Sequence, residues 1–284
     1  MAKGGFQDWA VEKVLFIFAL SAISGLALIA IFIFHEGLPI VFSKGLSGFV
    51  LSTTWSPRAG QFGILTMIVG SIAVTFGALL IAVPLGLASA ITLIEFCPKG
   101  PAGVLKGLIE LLAGIPSVVY GSIGLVVLVP FIREYLGGPG LSVLAASIVL
   151  GIMVLPSIVS ISMDAIRAVP ESYREGSIAL GATKWQTVRR VVLKGARSGI
   201  LAAFILGMGR AVGETMAVLM VAGNSVQMPT SVTGPVRTLT SNIALEMAYA
   251  AGDHRQALFA TGIVLFIMII VLNSMAVWAS RRRA

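Results

Sequence analysis

Six apolar stretches dominate this sequence, and each is long enough to cross a lipid bilayer as a helix. A helix needs about 20 apolar residues to cross ~30 Å of hydrocarbon. The stretches cover residues 14–34, 64–96, 108–132, 141–163, 200–222 and 257–279. Because they fill most of the 284 residues, we predict an all-α fold. It is a polytopic membrane helical bundle of about six transmembrane helices, formed by a single domain over residues 1–284.

The composition agrees with a membrane protein and argues against several other classes. Hydrophobic residues make up 57% of the chain and charged residues 11%, whereas about 25% of residues are charged in a soluble domain. The formal net charge is +8, but the bases lie at span ends and do not alternate with aromatic residues, so nucleic acid is not an expected partner. Cys97 is the only cysteine, and neither His35 nor His254 has neighbours at ligand spacing, so we predict no disulfide and no metal site.

Two of the stretches need interpretation before the spans are counted. Residues 64–96 exceed one span and are too few for two, so we interpret them as one long helix bent near Pro84. Residues 14–34 are longer than a signal-peptide core, and no Ala-x-Ala site follows them, so they are interpreted as an uncleaved first span.

The basic residues indicate an orientation, because cytoplasmic loops of membrane proteins carry an excess of Lys and Arg. With six spans, Arg210 falls inside the membrane and most other bases fall on the side of the N-terminus. Those on the opposite side are Lys44, Arg58, Arg133, Arg237 and Arg255. We therefore predict that both termini are cytoplasmic.

Two long segments then lie outside, at residues 35–63 and 223–256. Within the second, residues 238–250 have apolar side chains at helical spacing, which predicts a helix at the outer interface. This helix either docks a partner or merely covers the ends of the spans.

The cytoplasmic loop 164–199 contains a predicted helix-glycine-helix element. Residues 171–180 form the first helix, Gly181 suits the left-handed position that ends it, and Thr183 with Gln186 has the spacing of a capping box. The loop also carries seven bases, so from charge alone it could rest on anionic lipid. They are Arg167, Arg174, Lys184, Arg189, Arg190, Lys194 and Arg197.

The fifth stretch places two charges near the bilayer midplane. Arg210 and Glu214 are one helical turn apart, on the same predicted face, and each charge costs ~2.5–3.5 kcal/mol at that depth. They form either a buried ion pair that fixes helix register or part of a substrate pathway. By contrast, Glu95 and Glu110 lie near the cytoplasmic interface and are interpreted as structural.

The loop also resembles a known motif. Glu175-Gly176-Ser177, then Gly181, then Val191-Val192-Leu193-Lys194 is similar to the Glu-Ala-Ala motif of ABC-importer permeases, with the acid, the glycine and their spacing preserved. Lys194 stands where proline is usual, so we expect the helix to continue smoothly into the fifth span. The resemblance implies that this loop is a coupling element docking on an ATPase subunit. Its candidate residues are Glu171, Arg174, Glu175, Gly176, Ser177, Gly181 and Ala182.

Three further segments narrow the resemblance to the permease subunits of bacterial phosphate importers, of the PstC type. They are residues 111–121, 209–218 and 235–239. Within them we assign Arg210, Glu214, Ser117, Tyr120 and Thr215 to the substrate pathway. Ser117 follows Pro116, so its hydroxyl fits either the pathway or the repair of backbone that proline has freed.

The resemblance implies the type I ABC importer permease fold in the bacterial inner membrane. It also implies the partners: a second, PstA-type permease, two copies of an ATPase, an external phosphate-binding protein, phosphate and the bilayer. The chain has no Gly-x-x-x-x-Gly-Lys-Ser/Thr loop. ATP and Mg²⁺ are therefore expected on the ATPase, and no cofactor and no catalytic residue on this chain.

Three other functions remain open from the residues alone. An importer for another oxyanion, such as sulfate or molybdate, would share the permease motifs. An intramembrane enzyme could use Glu214 as acid or base, but no second carboxylate, His or Ser-His pair is placed at that depth. A channel would leave the helix-glycine-helix element unexplained.

Overall fold

The computed structural model describes residues 6–281 and consists mainly of helices. In chain order they are α1 (Phe6–Lys44), α2 (Leu46–Val50), α3 (Leu65–Ile91), α4 (Lys99–Ala113), α5 (Ser117–Ile123), α6 (Val129–Tyr135), α7 (Val143–Arg167), α8 (Glu171–Ala179), α9 (Lys184–Thr187), α10 (Leu193–Gly195), α11 (Arg197–Gly213), α12 (Met216–Val221), α13 (Leu239–Glu246) and α14 (Asp253–Arg281). Single π-helical turns follow α3 (Thr92–Phe96), α5 (Gly124–Leu128) and α9 (Val188–Val192). A short antiparallel hairpin pairs β1 (Trp55–Ser56) with β2 (Gln61–Phe62) across a 3-10 turn, Pro57–Ala59. The predicted all-α class is confirmed.

Five helical segments among the described residues are long and apolar enough to cross a membrane. They are Val11–Lys44, Leu65–Phe96, Ser117–Tyr135, Val143–Arg167 and Asp253–Trp278. A sixth is reached if the segments Lys184–Gly195 and Arg197–Gly213, bent by 69°, count as one span. The predicted number of about six spans is confirmed, and residues 64–96 form one span with Pro84 inside it.

The predicted third span, residues 108–132, is wrong at its start. Helix α4 ends at Ala113, and a new helix begins at Ser117. Pro116 explains the break, because the residue before a proline is disfavoured in helical conformation. Glu110 therefore lies in α4, where its carboxylate is 3.4 Å from Lys106 Nζ on an exposed surface.

The first outer loop is shorter than residues 35–63, because α1 continues to Lys44. Burial extends the helix, since Ile40 packs with Phe49 and Leu258 in one apolar cluster. The second predicted outer loop ends at Gly252, because α14 begins at the next residue. The predicted helix within this loop is confirmed as α13, with Thr238 as its N-cap.

The expected smooth entry into the fifth span is also wrong. The chain turns by 69° between α10 and α11. Ala196, at φ −80° and ψ −2°, forms the corner. It is buried in a cluster with Val169 and Val192, so packing turns the chain although no proline is present.

Helix α7 is the centre of the bundle and packs mainly against α3 and α11. Small residues allow these helices to approach closely. A side chain at Gly151 would lie 3.1 Å from the Ala78 carbonyl, and one at Gly207 would lie 2.9 Å from Ile158. Helices α3 and α11 are thereby held against one central helix.

Helix α1 is mostly outside this bundle. Its C-terminal half packs on α14, where a side chain at Gly37 would meet the Ala260 backbone. Its N-terminal half is exposed, including Phe16 and Phe18 at 62% and 67%. In a membrane, such a surface contacts lipid or another subunit.

Candidate functional site

The fifth span is interrupted at Glu214 and Thr215, two of the residues that were assigned to the substrate pathway. Helix α11 ends at Gly213, and Glu214 is extended, with φ −69° and ψ 134°. Helix α12 begins at Met216. Glu214 Oε1 accepts a hydrogen bond from the backbone N–H of Ala217 at 3.1 Å, which satisfies one of the free donors at the start of α12.

Of the two alternatives for Arg210 and Glu214, the buried ion pair is not formed. One turn of continuous helix would bring them together, but the extended backbone at Glu214 separates them. Within residues 6–281, Arg210 forms no ion pair, and its Nη1 reaches only the Ser157 hydroxyl, at 3.5 Å. The side chain is exposed on the bundle surface. The Arg210 guanidinium therefore has no carboxylate partner among the described residues.

Two of the other three candidate pathway residues lie near this break. Tyr120 is buried, donates its hydroxyl hydrogen bond to the Leu112 carbonyl at 2.7 Å, and is close enough to Arg210 to interact with it electrostatically. Thr215 lies in the break and donates to the Gly213 carbonyl at 3.3 Å. Ser117 is the first residue of α5, three residues before Tyr120, and is half-buried.

Close packing joins the third and fifth spans at this point. A side chain at Gly121 would lie 2.7 Å from the sulfur of Met220 and 3.1 Å from Ala217 Cα. Helices α5 and α12 therefore meet directly beside Tyr120 and Glu214. The structure thus brings the start of the third span against the break in the fifth span.

The helix-glycine-helix element forms as predicted. Gly181 has φ +84° after α8, and Thr183 and Gln186 form both hydrogen bonds of a capping box at the start of α9. The Ser177 and Thr187 hydroxyls, 2.9 Å apart, join the two helices. The element is a compact hairpin that begins at the end of α7.

An ion pair anchors this hairpin to the membrane domain. Arg174 Nη2 lies 3.1 Å from Glu95 Oε1, and both side chains are largely buried, at 12% and 8% exposure. Arg174 also donates to the carbonyls of Ile166 and Val169, at 2.9 and 2.7 Å. Arg174 thus acts inside this chain, and its predicted place at the ATPase surface is corrected.

The rest of the hairpin offers an exposed surface. Glu171, Glu175 and Gly176 are exposed, and Ala182 is half-buried. Large apolar side chains flank them, notably Leu180 at 91% and Tyr173 at 58% exposure. Exposed apolar side chains outside the spans are typical of a protein interface.

Sequence reasoning missed a polar cluster at the outer end. Glu246, 7% exposed, contacts Trp55, Arg237 and His254. The available signal was the placement of Arg237, Glu246 and His254 within 18 positions of a chain that is only 11% charged. Trp55 is too distant in sequence to be linked to them.

The described residues contain no group of three or more His, Cys, Asp or Glu side chains placed to hold a metal ion. The candidate site is instead a guanidinium, two hydroxyls and a carboxylate around a helix break. A guanidinium and hydroxyls are groups that donate hydrogen bonds to anions.

Comparisons with known proteins show which family this chain belongs to. Residues 82–284 match the model described as "Binding-protein-dependent transport system inner membrane component". The chain is 44% identical to the "Probable ABC transporter permease protein YqgH" of Bacillus subtilis, over 93% of this chain and 88% of that protein. It is 37% identical to the "Phosphate transport system permease protein PstC" of Mesorhizobium japonicum, over 87% and 82%.

Solved structures share the fold. An importer of the polysaccharide alginate superposes with a TM-score of 0.68 at 17% identity, covering 97% of this chain and 96% of that one. The MetNI methionine transporter gives a TM-score of 0.58 at 20% identity, over 78% and 94%. These likenesses confirm the predicted type I ABC importer permease fold.

The resemblance to phosphate importer permeases is also confirmed by the relatives, which are named as transport subunits and not as enzymes. The chain belongs to the family of binding-protein-dependent transport system inner membrane components and is a multi-pass permease subunit of an ABC transporter.

Proposed function

We propose that this chain is the PstC-type subunit of an ATP-driven phosphate importer and forms half of its translocation pathway. The observation that carries the proposal is the Arg210 guanidinium, exposed beside a break in an apolar span and without a carboxylate partner in the described part of the chain. Relatives named as phosphate permeases support the choice of anion. The test is ATP-dependent uptake of labelled phosphate by vesicles that contain the assembled complex.

Arg210 suits phosphate chemically. A guanidinium offers planar paired donors to phosphate oxygens and stays charged at any relevant pH. Because a lone charge in the membrane is costly, an arriving anion would lower that cost. Arg210 is therefore a transient site for the passing anion.

Glu214 is the second part of this mechanism. Its carboxylate now caps α12, and leaving Ala217 would free it to approach Arg210 once the anion departs. It can also accept a hydrogen bond from the hydroxyl of monohydrogen phosphate, which sulfate lacks at neutral pH. Tyr120 and Thr215 supply further hydroxyls near Arg210 and Glu214.

The surfaces that remain exposed leave a place for each of the proposed partners. The α8–α9 hairpin docks on one of two ATPase copies, which hold ATP and Mg²⁺. The apolar side of α1 faces lipid or the second, PstA-type permease, and the outer end receives an external phosphate-binding protein. The complex lies in the bacterial inner membrane with both termini cytoplasmic; residues 1–5 and 282–284, which include bases used for that orientation, lie outside the described residues.

Gly181→Val is expected to uncouple ATP hydrolysis from transport. No atom lies within 4 Å of the position its side chain would take, so the change acts only on the backbone. At φ +84° a residue with a side chain costs roughly 1–2 kcal/mol. The turn is then expected to rearrange, and phosphate transported per ATP hydrolysed to fall.

Gly176→Ala is the matched control, since that position is also open but lies inside α8. There alanine favours the helix by about 1 kcal/mol. We expect the control to keep the parental ratio of phosphate to ATP. The same ratio in Gly181→Val complexes would remove this turn from the coupling element.

A further inference from the structure

Glu246 is a buried carboxylate that joins three separate segments at the outer end of the bundle. Its Oε2 accepts a hydrogen bond from Trp55 Nε1 at 2.9 Å and lies 2.8 Å from His254 Nε2. Its Oε1 accepts from Arg237 Nη1 at 2.6 Å. The β1–β2 hairpin, the segment before α13 and the first turn of α14 are therefore bound to one side chain.

Further contacts make this region a single body. Arg237 Nε donates to the Asn224 carbonyl at 2.9 Å, and its Nη1 donates to Asn242 Oδ1 at 3.0 Å. The His254 ring stacks on Phe62 of the hairpin, with centroids 6.3 Å apart. We call this body the outer cap: the hairpin (residues 55–62), residues 223–246 and the first turn of α14.

The outer cap is tied directly to the break in the fifth span. Thr240, the second residue of α13 and 7% exposed, donates its hydroxyl hydrogen bond to the Glu214 carbonyl at 2.9 Å. The extended backbone at Glu214 leaves that carbonyl outside the pattern of helical hydrogen bonds, and Thr240 supplies the missing donor. A second hydrogen bond connects the outer cap to α3: Leu239 N–H donates to Ser71 Oγ, also at 2.9 Å.

We infer that Glu246 and Thr240 are positioning residues, which control the position of Glu214 during transport. Glu246 keeps the outer cap rigid, and Thr240 transfers a movement of the outer cap to the break at Glu214. A buried, hydrogen-bonded ion cluster shifts as a unit, because separating its charges would leave one of them buried and unpaired. A helix break is the part of a span that absorbs such a shift most easily. A protein docking on the outer cap would thus move Glu214 relative to Arg210.

This inference rests on the proposed function, in which Arg210 meets the anion. It adds the route by which the outer face controls that site. The route consists of one buried side chain in the cap and one hydrogen bond to the span, so each can be changed separately.

Thr240→Val tests the hydrogen bond with almost no change of shape. In complexes assembled with the second permease and the ATPase, we expect normal assembly and normal ATP hydrolysis with phosphate-loaded binding protein. Phosphate transported per ATP should fall roughly fivefold, the size of effect expected for one buried hydrogen bond. Thr240→Ser keeps the hydroxyl and should recover most of the ratio. Thr53→Val, at an exposed threonine outside the outer cap, should keep all of it.

Glu246→Gln tests the cap and should also lower the ratio. If both residues act along one route, adding Thr240→Val to Glu246→Gln causes little further loss. Losses that multiply would mean independent effects and would overturn the inference, as would a parental ratio in Thr240→Val. Should Glu246→Gln fail to assemble, the comparison of Thr240→Val with Thr240→Ser decides alone.

Arg210→Gln separates this inference from the proposed function. If Arg210→Gln transports phosphate normally, the proposed anion site is wrong. If Arg210→Gln blocks uptake while Thr240→Val transports with the parental ratio, the anion site stands and only the route through the outer cap is overturned.

Discussion

Arg210→Gln is expected to reduce phosphate uptake at least tenfold in complexes that assemble normally. The change removes the only positive charge in the middle of the fifth span and with it the paired donors for phosphate oxygens. A tenfold loss corresponds to about 1.4 kcal/mol, just below the range of about 1.5–3 kcal/mol for one charge-assisted hydrogen bond, so tenfold is the smallest loss expected. Uptake should be measured on purified complexes, so that assembly and transport are scored separately.

Two further variants make the Arg210 result specific. Arg210→Lys keeps the charge but loses the planar fork, so it should rescue poorly. Arg133→Gln removes an exposed arginine from α6, outside the outer cap, and should leave uptake unchanged. Parental uptake by Arg210→Gln complexes would remove Arg210 from the pathway.

Glu95→Gln is expected to disconnect the α8–α9 hairpin from the spans. It leaves Arg174 largely buried without its main counter-ion, and breaking a buried pair in this way costs roughly 3–5 kcal/mol. The hairpin then loses its fixed position at the end of α7. We expect phosphate uptake to fall strongly while the ATPase continues to hydrolyse ATP, which is measured by following both on the same preparation.

The structure provides a control on the same arginine. Glu171 Oε2 lies 3.4 Å from Arg174 Nη1, but its side chain is 74% exposed. Exposed pairs contribute roughly 0–1 kcal/mol, so Glu171→Gln should have little effect through this contact. Equal losses in Glu95→Gln and Glu171→Gln would contradict the assignment of Glu95 as the anchor.

The fold could be predicted where local signals agree with packing. The long apolar stretches fix the spans, and Gly181, Thr183 and Gln186 fix the turn between α8 and α9 from their own backbone preferences. These features need no distant residue. Their prediction from the sequence therefore succeeded in type, and for the turn between α8 and α9 also in position.

The remaining features depend on contacts far apart in sequence. The bend at Ala196 follows from burial against Val169, and the extension of α1 to Lys44 follows from contacts with α14. Glu95 meets Arg174 across 79 positions, and Trp55 meets Glu246 across 191. No periodicity in one sequence reveals such pairs.

The break at Glu214 shows the same limit within the candidate site. Helical spacing placed Arg210 and Glu214 on one face, and continuous helix was the natural expectation for an apolar stretch. Two hydrogen bonds favour the break over a continuous helix. Ala217 N–H donates to the Glu214 carboxylate, and the Thr240 hydroxyl donates to the Glu214 carbonyl. The second donor comes from α13, so sequence could identify the residue but not its conformation.

Uptake by reconstituted complexes tests the central claim most directly. The complex containing this chain, with the subunits that copurify with it, is placed in vesicles with ATP at the ATPase side and binding protein outside. Labelled phosphate should accumulate only when both ATP and the binding protein are present, and excess sulfate should not compete. Accumulation of sulfate in place of phosphate, or passage of phosphate without ATP, would contradict the account.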